Sequence, residues 1–82
     1  MKDSIVERVI RYVVTSIVDN AEAVDISLVD QGEDHVLAEV KTAPGEMGRV
    51  IGRGGRVARA IRAIAQAAGD EEGLQVAVEF VD

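Results

Sequence analysis

The sequence contains no cysteine, a single histidine and only two aromatic residues. Without cysteine the chain has no disulfide framework, no thiolate metal site and no cysteine nucleophile. The histidine, His35, follows a turn-like sequence without a catalytic or ligating partner, so we expect it at the surface. Hydrophobic residues make up 48% of the chain, but only 2% of its residues are aromatic. Its core must therefore consist of aliphatic side chains.

Known catalytic signatures are missing as well. No Gly-Lys-Ser/Thr sequence follows a glycine-rich run, and Gly52-x-Gly54-x-x-Val57 lacks both the third glycine and the preceding strand of a dinucleotide fingerprint. The carboxylates are scattered, with no nucleophile and base near each other in sequence. We therefore expect a protein that is not an enzyme and that needs no metal or other cofactor.

Residues 1–82 are expected to form one domain, since a chain of this length supports a single small core. The first apolar segment, from Ser4 to Val18, has apolar residues at helical spacing but also contains Glu7, Arg8 and Arg11. It is neither a signal-peptide core nor a membrane span, so we predict a core helix capped by Asp3 or Ser4 in a cytoplasmic protein.

Alternating apolar residues around Gln31-Gly32-Glu33-Asp34 predict a β-hairpin, and a last strand is predicted over residues 74–80. Between the second and third strands, a short helix is predicted to begin at Pro44 and to end at a left-handed Gly52. Gly48 weakens that helix by about 1 kcal/mol relative to alanine. We expect it to permit close approach by a neighbouring element or by a bound nucleotide.

A longer helix is predicted from Arg56 to Ala68, with Gly69 as its cap. Its inward stripe is expected to consist of Val57, Ile61, Ile64 and Ala68. The opposite side is expected to carry Arg59, Arg62 and Gln66. Between the two lies an alanine flank of Ala60, Ala63 and Ala67, which could receive a closely packed second subunit and thereby enlarge a marginal core.

The predicted element order is αββααβ. Because two helices cross over between the second and third strands, those strands should be parallel, whereas the hairpin strands are antiparallel. The pattern therefore predicts an α+β fold with a three-stranded mixed sheet and the helices packed on one face.

The stretch from Val50 to Val57 places three glycines and two arginines between two helical patterns. Glycine lets a foreign backbone come close, arginine suits phosphate oxygens, and a helix start favours an anion. Although the net charge of the chain is -6, residues 41–62 contain six basic residues and one acid, a net +5. These features predict a phosphate-binding loop in a local positive field, although Arg59 and Arg62 equally fit a solvated helix face.

Ile51-Gly52-Arg53-Gly54-Gly55-Arg56-Val57 resembles the I-G-x-x-G-x-x-[IV] signature of KH domains, whose loop clamps about four nucleotides. The whole chain resembles the small bacterial single-KH proteins of the KhpA type. Gly54 departs from many KH loops, which carry a side chain there, so Arg53 is the only side chain within the four loop residues.

This resemblance implies a type II KH-like fold and an RNA chaperone-like protein that binds single-stranded RNA, with single-stranded DNA as an open alternative. The residues it assigns to RNA binding are Gly48, Arg49, Ile51, Gly52, Arg53, Gly54, Gly55, Arg56 and Arg59. Val50 and Val57 would help to line an aliphatic groove for the bases, with the hairpin turn at its rim. Tyr12 and Phe80 are expected to lie away from the loop.

The family resemblance also implies partners. KhpA-type proteins are similar to factors that form homodimers, or heterodimers with a larger RNA-binding protein, KhpB, in processes linked to cell elongation and division and hence to cell shape and cell-wall organisation. The alternative function is therefore a KH-fold interaction module that acts mainly by dimerisation.

Overall fold

Three strands form one mixed sheet in the order β1-β2-β3 in a computed structural model that describes residues 4–81. The elements in chain order are α1 (Ile5–Ile17), β1 (Asp25–Asp30), β2 (His35–Lys41), α2 (Met47–Ile51), α3 (Arg56–Asp70) and β3 (Gln75–Phe80), with short 3-10 turns at Ala21–Ala23 and Arg53–Gly55. The predicted order αββααβ is confirmed.

The strand register fixes which residues share a face of the sheet. β1 pairs antiparallel with β2, with Ile26 opposite Val40, and β2 pairs parallel with β3, with Ala38 opposite Val78. Because side chains alternate along a strand, these four residues face the same side and are all buried. The helices cover that side, as predicted from the sequence.

The core consists of valine, isoleucine, alanine and one methionine. Its fully buried larger side chains are Ile10, Ile61, Val6, Val14, Val40 and Val50. From α3 the core receives Ala58, Ile61, Ala65 and Ala68, whereas Ile64 is 41% exposed. The predicted inward position of Ile64 is therefore wrong, because the buried face of α3 passes through Ala65 and not through the larger Ile64.

Helix α1 begins where its capping residue predicts. The Glu7 N–H donates a hydrogen bond of 3.2 Å to the Ser4 Oγ, which satisfies one of the free amides of the first turn. The alternative cap, Asp3, lies outside the described residues. Val6, Ile10 and Val14 are buried at the predicted spacing, and none of the helices over residues 4–81 is long and apolar enough to cross a membrane.

Helix α2 begins later than the sequence predicts. The Glu46 N–H donates to the Ala43 carbonyl over 3.1 Å, and Gly45 has φ +88°, so Pro44 and Gly45 occupy the centre of a turn. A proline followed by glycine suits a type II turn, in which the third residue requires positive φ. The helix starts only at Met47, and the predicted start at Pro44 is wrong.

Gly69 is not a helix cap but a buried residue inside α3. A Cβ at this position would lie 2.5 Å from Val76 Cγ2 and 2.9 Å from the Leu74 carbonyl oxygen. The helix continues to Asp70, and the chain reverses through residues 71–73, with Gly73 at φ +71°. Gly69 thus lets the last turn of α3 lie directly against the start of β3.

Replacing Gly69 by alanine should lower the free energy of unfolding by about 1 to 2 kcal/mol, because the steric cost of overpacking exceeds the gain in helix propensity. The matched control is Gly48→Ala, where nothing lies within 4 Å of the added Cβ. That variant should be more stable by up to about 1 kcal/mol. Urea unfolding of both variants checks the pair, and equal effects would contradict the packing at Gly69.

Candidate functional site

Backbone angles that only glycine holds at little cost define the connection between α2 and α3. Gly52, Gly54 and Gly55 have φ of +77°, +63° and +78°. At Gly52 a Cβ would also lie 2.5 Å from Val57 Cγ2, so the loop closes tightly onto the first turn of α3. Gly52 has a ψ of 167°, which is not that of a left-handed residue. The predicted left-handed cap at Gly52 is therefore wrong, although the predicted positive φ is present.

The tip of this loop offers free backbone. The Gly55 N–H donates to the Gly52 carbonyl over 3.0 Å, and the Arg56 N–H donates to the Arg53 carbonyl. The N–H groups of Arg53 and Gly54 donate to no group of residues 4–81. Nothing lies within 4 Å of a Cβ built on Gly54, so another molecule can approach the backbone closely at this residue.

Gly48 is likewise open to solvent. This glycine lies in α2, four residues before the loop, and a Cβ built on it would meet nothing within 4 Å. The prediction that a neighbouring element of the chain approaches this glycine is wrong. Close approach by a bound nucleotide remains a prediction.

The arginines around the loop fall into two groups. Arg59 Nη1 donates to the Gly54 carbonyl over 3.0 Å, and Arg49 Nη1 pairs with Asp19 Oδ1 at 3.1 Å. Arg53 and Arg56 are exposed and take no part in the side-chain hydrogen bonds or ion pairs of the described chain. Of these four arginines, the two whose side chains have no hydrogen-bond or ion-pair partner therefore lie at the loop itself.

The Arg49–Asp19 pair joins α2 to the segment that follows α1. Glu46 strengthens that junction, because its carboxylate accepts hydrogen bonds of 3.0 and 3.2 Å from the N–H groups of Asp19 and Asn20. Both partners of the ion pair are exposed, and such a pair contributes about 1 kcal/mol or less. A phosphate can therefore compete for Arg49.

Arg62 and Gln66 do not point freely into solvent but reach the outer edge of β3. The Gln66 side chain donates to the Leu74 carbonyl and accepts from the Val76 N–H, both over 2.9 Å. Arg62 Nε donates to the Val78 carbonyl over 3.3 Å. These bonds occupy backbone groups that an edge strand would otherwise present to another chain, and the prediction that both residues form a face opposite the core is wrong.

An open cleft of about 290 Å³ lies between the loop, α3 and β3. It is lined by Ile51, Gly55, Ala58, Arg59, Arg62, Val78, Glu79 and Phe80. Phe80 therefore lies beside the loop, and the expectation that both aromatic residues are remote from it is wrong for this one. Val50 is completely buried, so its predicted place in the lining of the groove is also wrong.

The structure thus brings most of the predicted residues together. Gly52, Arg53, Gly54 and Arg56 form the loop, and Ile51, Gly55 and Arg59 line the cleft beside it. Gly48 and Arg49 lie on α2, immediately before the loop. The sequence missed the contribution of β3, although the short connection after α3 was a usable signal, because it makes β3 run back along the helix toward the loop.

Charge is separated along the length of the domain. The β1–β2 turn lies at the other end of α3 from the loop, since the Gln75 N–H donates to the Asp34 carbonyl over 2.7 Å. The predicted position of this turn at the rim of the groove is therefore wrong. Exposed acids gather at that end, namely Asp30, Glu33, Asp34, Asp70, Glu71 and Glu72. The basic loop lies roughly 20 Å away, the length of α3.

Comparison with known proteins gives consistent matches. The family model described as KhpA/KhpB, KH domain, matches residues 7–80. The chain is 40% identical to a protein of Streptomyces coelicolor over 93% of this chain and 91% of that protein. It is 38% identical to one of Caldanaerobacter subterraneus, over 88% and 95%, and 34% identical to one of Aquifex aeolicus, over 96% and 99%. Each of these relatives is named RNA-binding protein KhpA, and no solved structure matches.

Replacing Arg59 by methionine should loosen the loop, because the Gly54 carbonyl loses its side-chain donor. We expect the backbone order parameters of Gly54 and Gly55 to fall from about 0.85 toward 0.6, with the free energy of unfolding changed by about 0.5 kcal/mol or less. Arg56→Met, which removes a charge without a hydrogen bond, is the control. Equal order parameters in the two variants would show that Arg59 does not hold the loop.

Proposed function

The chain belongs to the KhpA/KhpB family of KH domains, and on that premise we propose that it binds single-stranded RNA through the loop between α2 and α3. The observation that carries the proposal is the free backbone at the loop tip, where two N–H groups have no partner within residues 4–81 and Gly54 leaves room for another chain. A phosphate oxygen is the acceptor best suited to paired amides beside unpaired arginines.

The roles of the site residues follow from their places. Gly52 and Gly55 hold the loop in shape, Gly54 admits the sugar-phosphate backbone, and Arg53 and Arg56 contact phosphates. Arg59 reaches the loop from α3, while Gly48 and Arg49 extend the surface along α2. Ile51, which is 37% exposed, offers an aliphatic surface to the bases at the entrance of the cleft.

The same features set the character of the binding. A single loop with few arginines and one aromatic residue in the cleft gives modest affinity and weak sequence preference, and the acidic end repels additional phosphates. Such binding suits an RNA chaperone-like role, in which contacts must form and release readily. The binding is expected to be sensitive to salt.

Three phosphate contacts would give a log-log dependence of the association constant on salt with a slope of roughly -2, at about -0.7 per phosphate of a single strand. Titrations of a single-stranded oligoribonucleotide at several salt concentrations measure this slope. An affinity that does not change with salt would exclude the phosphate contacts.

Replacing Arg53 and Gly54 together by aspartate should abolish binding, because two carboxylates then lie where the phosphate is proposed. Both residues are exposed, so the fold should persist, with a cost of about 1 kcal/mol for a side chain at the positive φ of Gly54. Fluorescence anisotropy measures binding, and circular dichroism checks the fold.

The matched control is Arg8→Asp with Gln31→Asp, which changes the net charge equally at exposed positions. Arg8 lies near the start of α1, and Gln31 lies beside the β1–β2 turn at the other end of α3 from the loop. This control should bind nearly as well as the wild type. If the loop variant is folded and still binds, the loop is not the site. If both variants fail equally, net charge and not the loop governs binding.

A second function, self-association, is favoured by the outer surface of α3. The alanine flank of Ala60, Ala63 and Ala67 is exposed, and the exposed Ile64 lies beside it. This surface allows two helices to approach closely and would bury apolar area that a small domain leaves in water. We propose a homodimer through this face, which would also serve for a heterodimer with a KhpB-type protein.

Replacing Ala63 by glutamate should convert the dimer into a monomer, since a charge would be buried at the centre of the face. Light scattering gives the mass, and Ala21→Glu, at an exposed position outside α3, is the control. A wild-type monomer at high protein concentration would overturn the dimer. A dimer that survives the substitution would place its interface elsewhere.

A further inference from the structure

Arg62 is held in the cleft by two different contacts. Its Nε donates to the Val78 carbonyl over 3.3 Å, and its Cζ lies 5.3 Å from the centre of the Phe80 ring. A guanidinium at this distance is attracted to the ring face, and the hydrogen bond restricts its rotation. The two contacts keep a planar group at a defined place against β3.

The charge of Arg62 is not neutralised by a carboxylate. The ion pairs within residues 4–81 are Glu7–Arg11 and Asp19–Arg49, so Arg62 belongs to neither, although Glu79 lines the same cleft. Arg62 is also exposed. Because Arg62 both lines the cleft and is exposed, its side chain is accessible to a strand that lies there.

The position of this group relative to the loop suggests its ligand. Gly55 and Ile51 line the cleft together with Arg62, so a strand whose phosphate lies on the loop carries its neighbouring bases into the cleft. Bases of single-stranded RNA stack on guanidinium planes as well as on aromatic rings. No other aromatic side chain lines this cleft.

We propose that the free face of the Arg62 guanidinium, supported from behind by Phe80, is the stacking platform for one nucleobase of the bound strand. This inference rests on the proposed RNA binding and adds a base subsite to it. Stacking requires the plane of the guanidinium and not only its charge, because every base presents a flat π surface. Recognition at the platform is therefore tolerant of sequence but requires a base.

The test compares Arg62→Lys with the wild type on an intact oligoribonucleotide and on a series of the same strand that each lack one base. Lysine keeps the charge but loses the plane. We expect roughly five- to ten-fold weaker binding of the intact strand, at the lower end of the effect of one stacked base. The salt slope should not change, because no phosphate contact is lost.

The decisive result is the dependence on the missing base. At one position of the series, the loss caused by Arg62→Lys should disappear, since no base remains to stack. If the loss is the same for every strand, Arg62 acts on the backbone and the proposal is wrong. If Arg62→Lys binds the intact strand as tightly as the wild type does, the platform proposal is also wrong. The proposed binding of phosphate at the loop would not be affected by that result.

A second variant tests the platform independently, in case Arg62→Lys changes the fold. Phe80→Leu keeps the cleft apolar but removes the ring beneath the guanidinium, and it should weaken binding at the same base position. Thermal unfolding checks both variants. If Phe80→Leu binds like the wild type, the ring does not support the platform and the proposal fails. Failure of the RNA-binding proposal is distinguishable, since then the wild type itself binds no strand in the series.

Discussion

The reversal between α2 and α3 depends on positive φ angles at three glycines, and the arrangement of the site depends on that reversal. Gly52 must lack a side chain because Val57 occupies the adjacent space, with the nearest Val57 atom 2.5 Å from where a Cβ would be. The resulting tight turn places the start of α3 beside the end of α2 and leaves the Arg53 and Gly54 amides without partners in residues 4–81. One backbone constraint therefore both closes the fold and leaves free the two amides on which the proposed RNA binding depends.

The order of elements and the loop were predictable because both have strong local signals. Helical and alternating periodicities identify α1, β2 and β3, and the crossover rule makes β2 and β3 parallel. The contribution of β3 to the site was not predicted, because it depends on contacts distant in sequence. Arg62 and Phe80 are eighteen positions apart, yet the short turn after α3 brings them together. Because the turn after α3 is short, equal distances along α3 and β3 place residues of the two elements side by side, and this spacing indicates the contact between Arg62 and Phe80.

The remaining errors have two physical causes, a local turn conformation in one case and packing between distant residues in the others. Pro44 favours a helix start as much as a turn, and it is Gly45, with φ +88°, that selects the turn. Gly69 looked like a helix cap because glycine usually ends helices, but close contact with Val76 requires it here. Ile64 is the most apolar residue of its turn and is nevertheless exposed, because the face of α3 that packs on the core carries Ile61 and Ala65. Packing decided the positions of Gly69 and Ile64, and a single sequence does not encode such distant contacts locally.

The loop and the adjacent cleft form the proposed RNA-binding surface. Titrating the isotopically labelled protein with a single-stranded oligoribonucleotide, and following every backbone amide by NMR, tests it most directly. We expect the largest shifts at Arg53, Gly54 and Arg56, with further shifts at Ile51 and Phe80. Shifts confined to the open face of the sheet, for example at Ser27 and Ala77, with the loop amides unchanged, would contradict it.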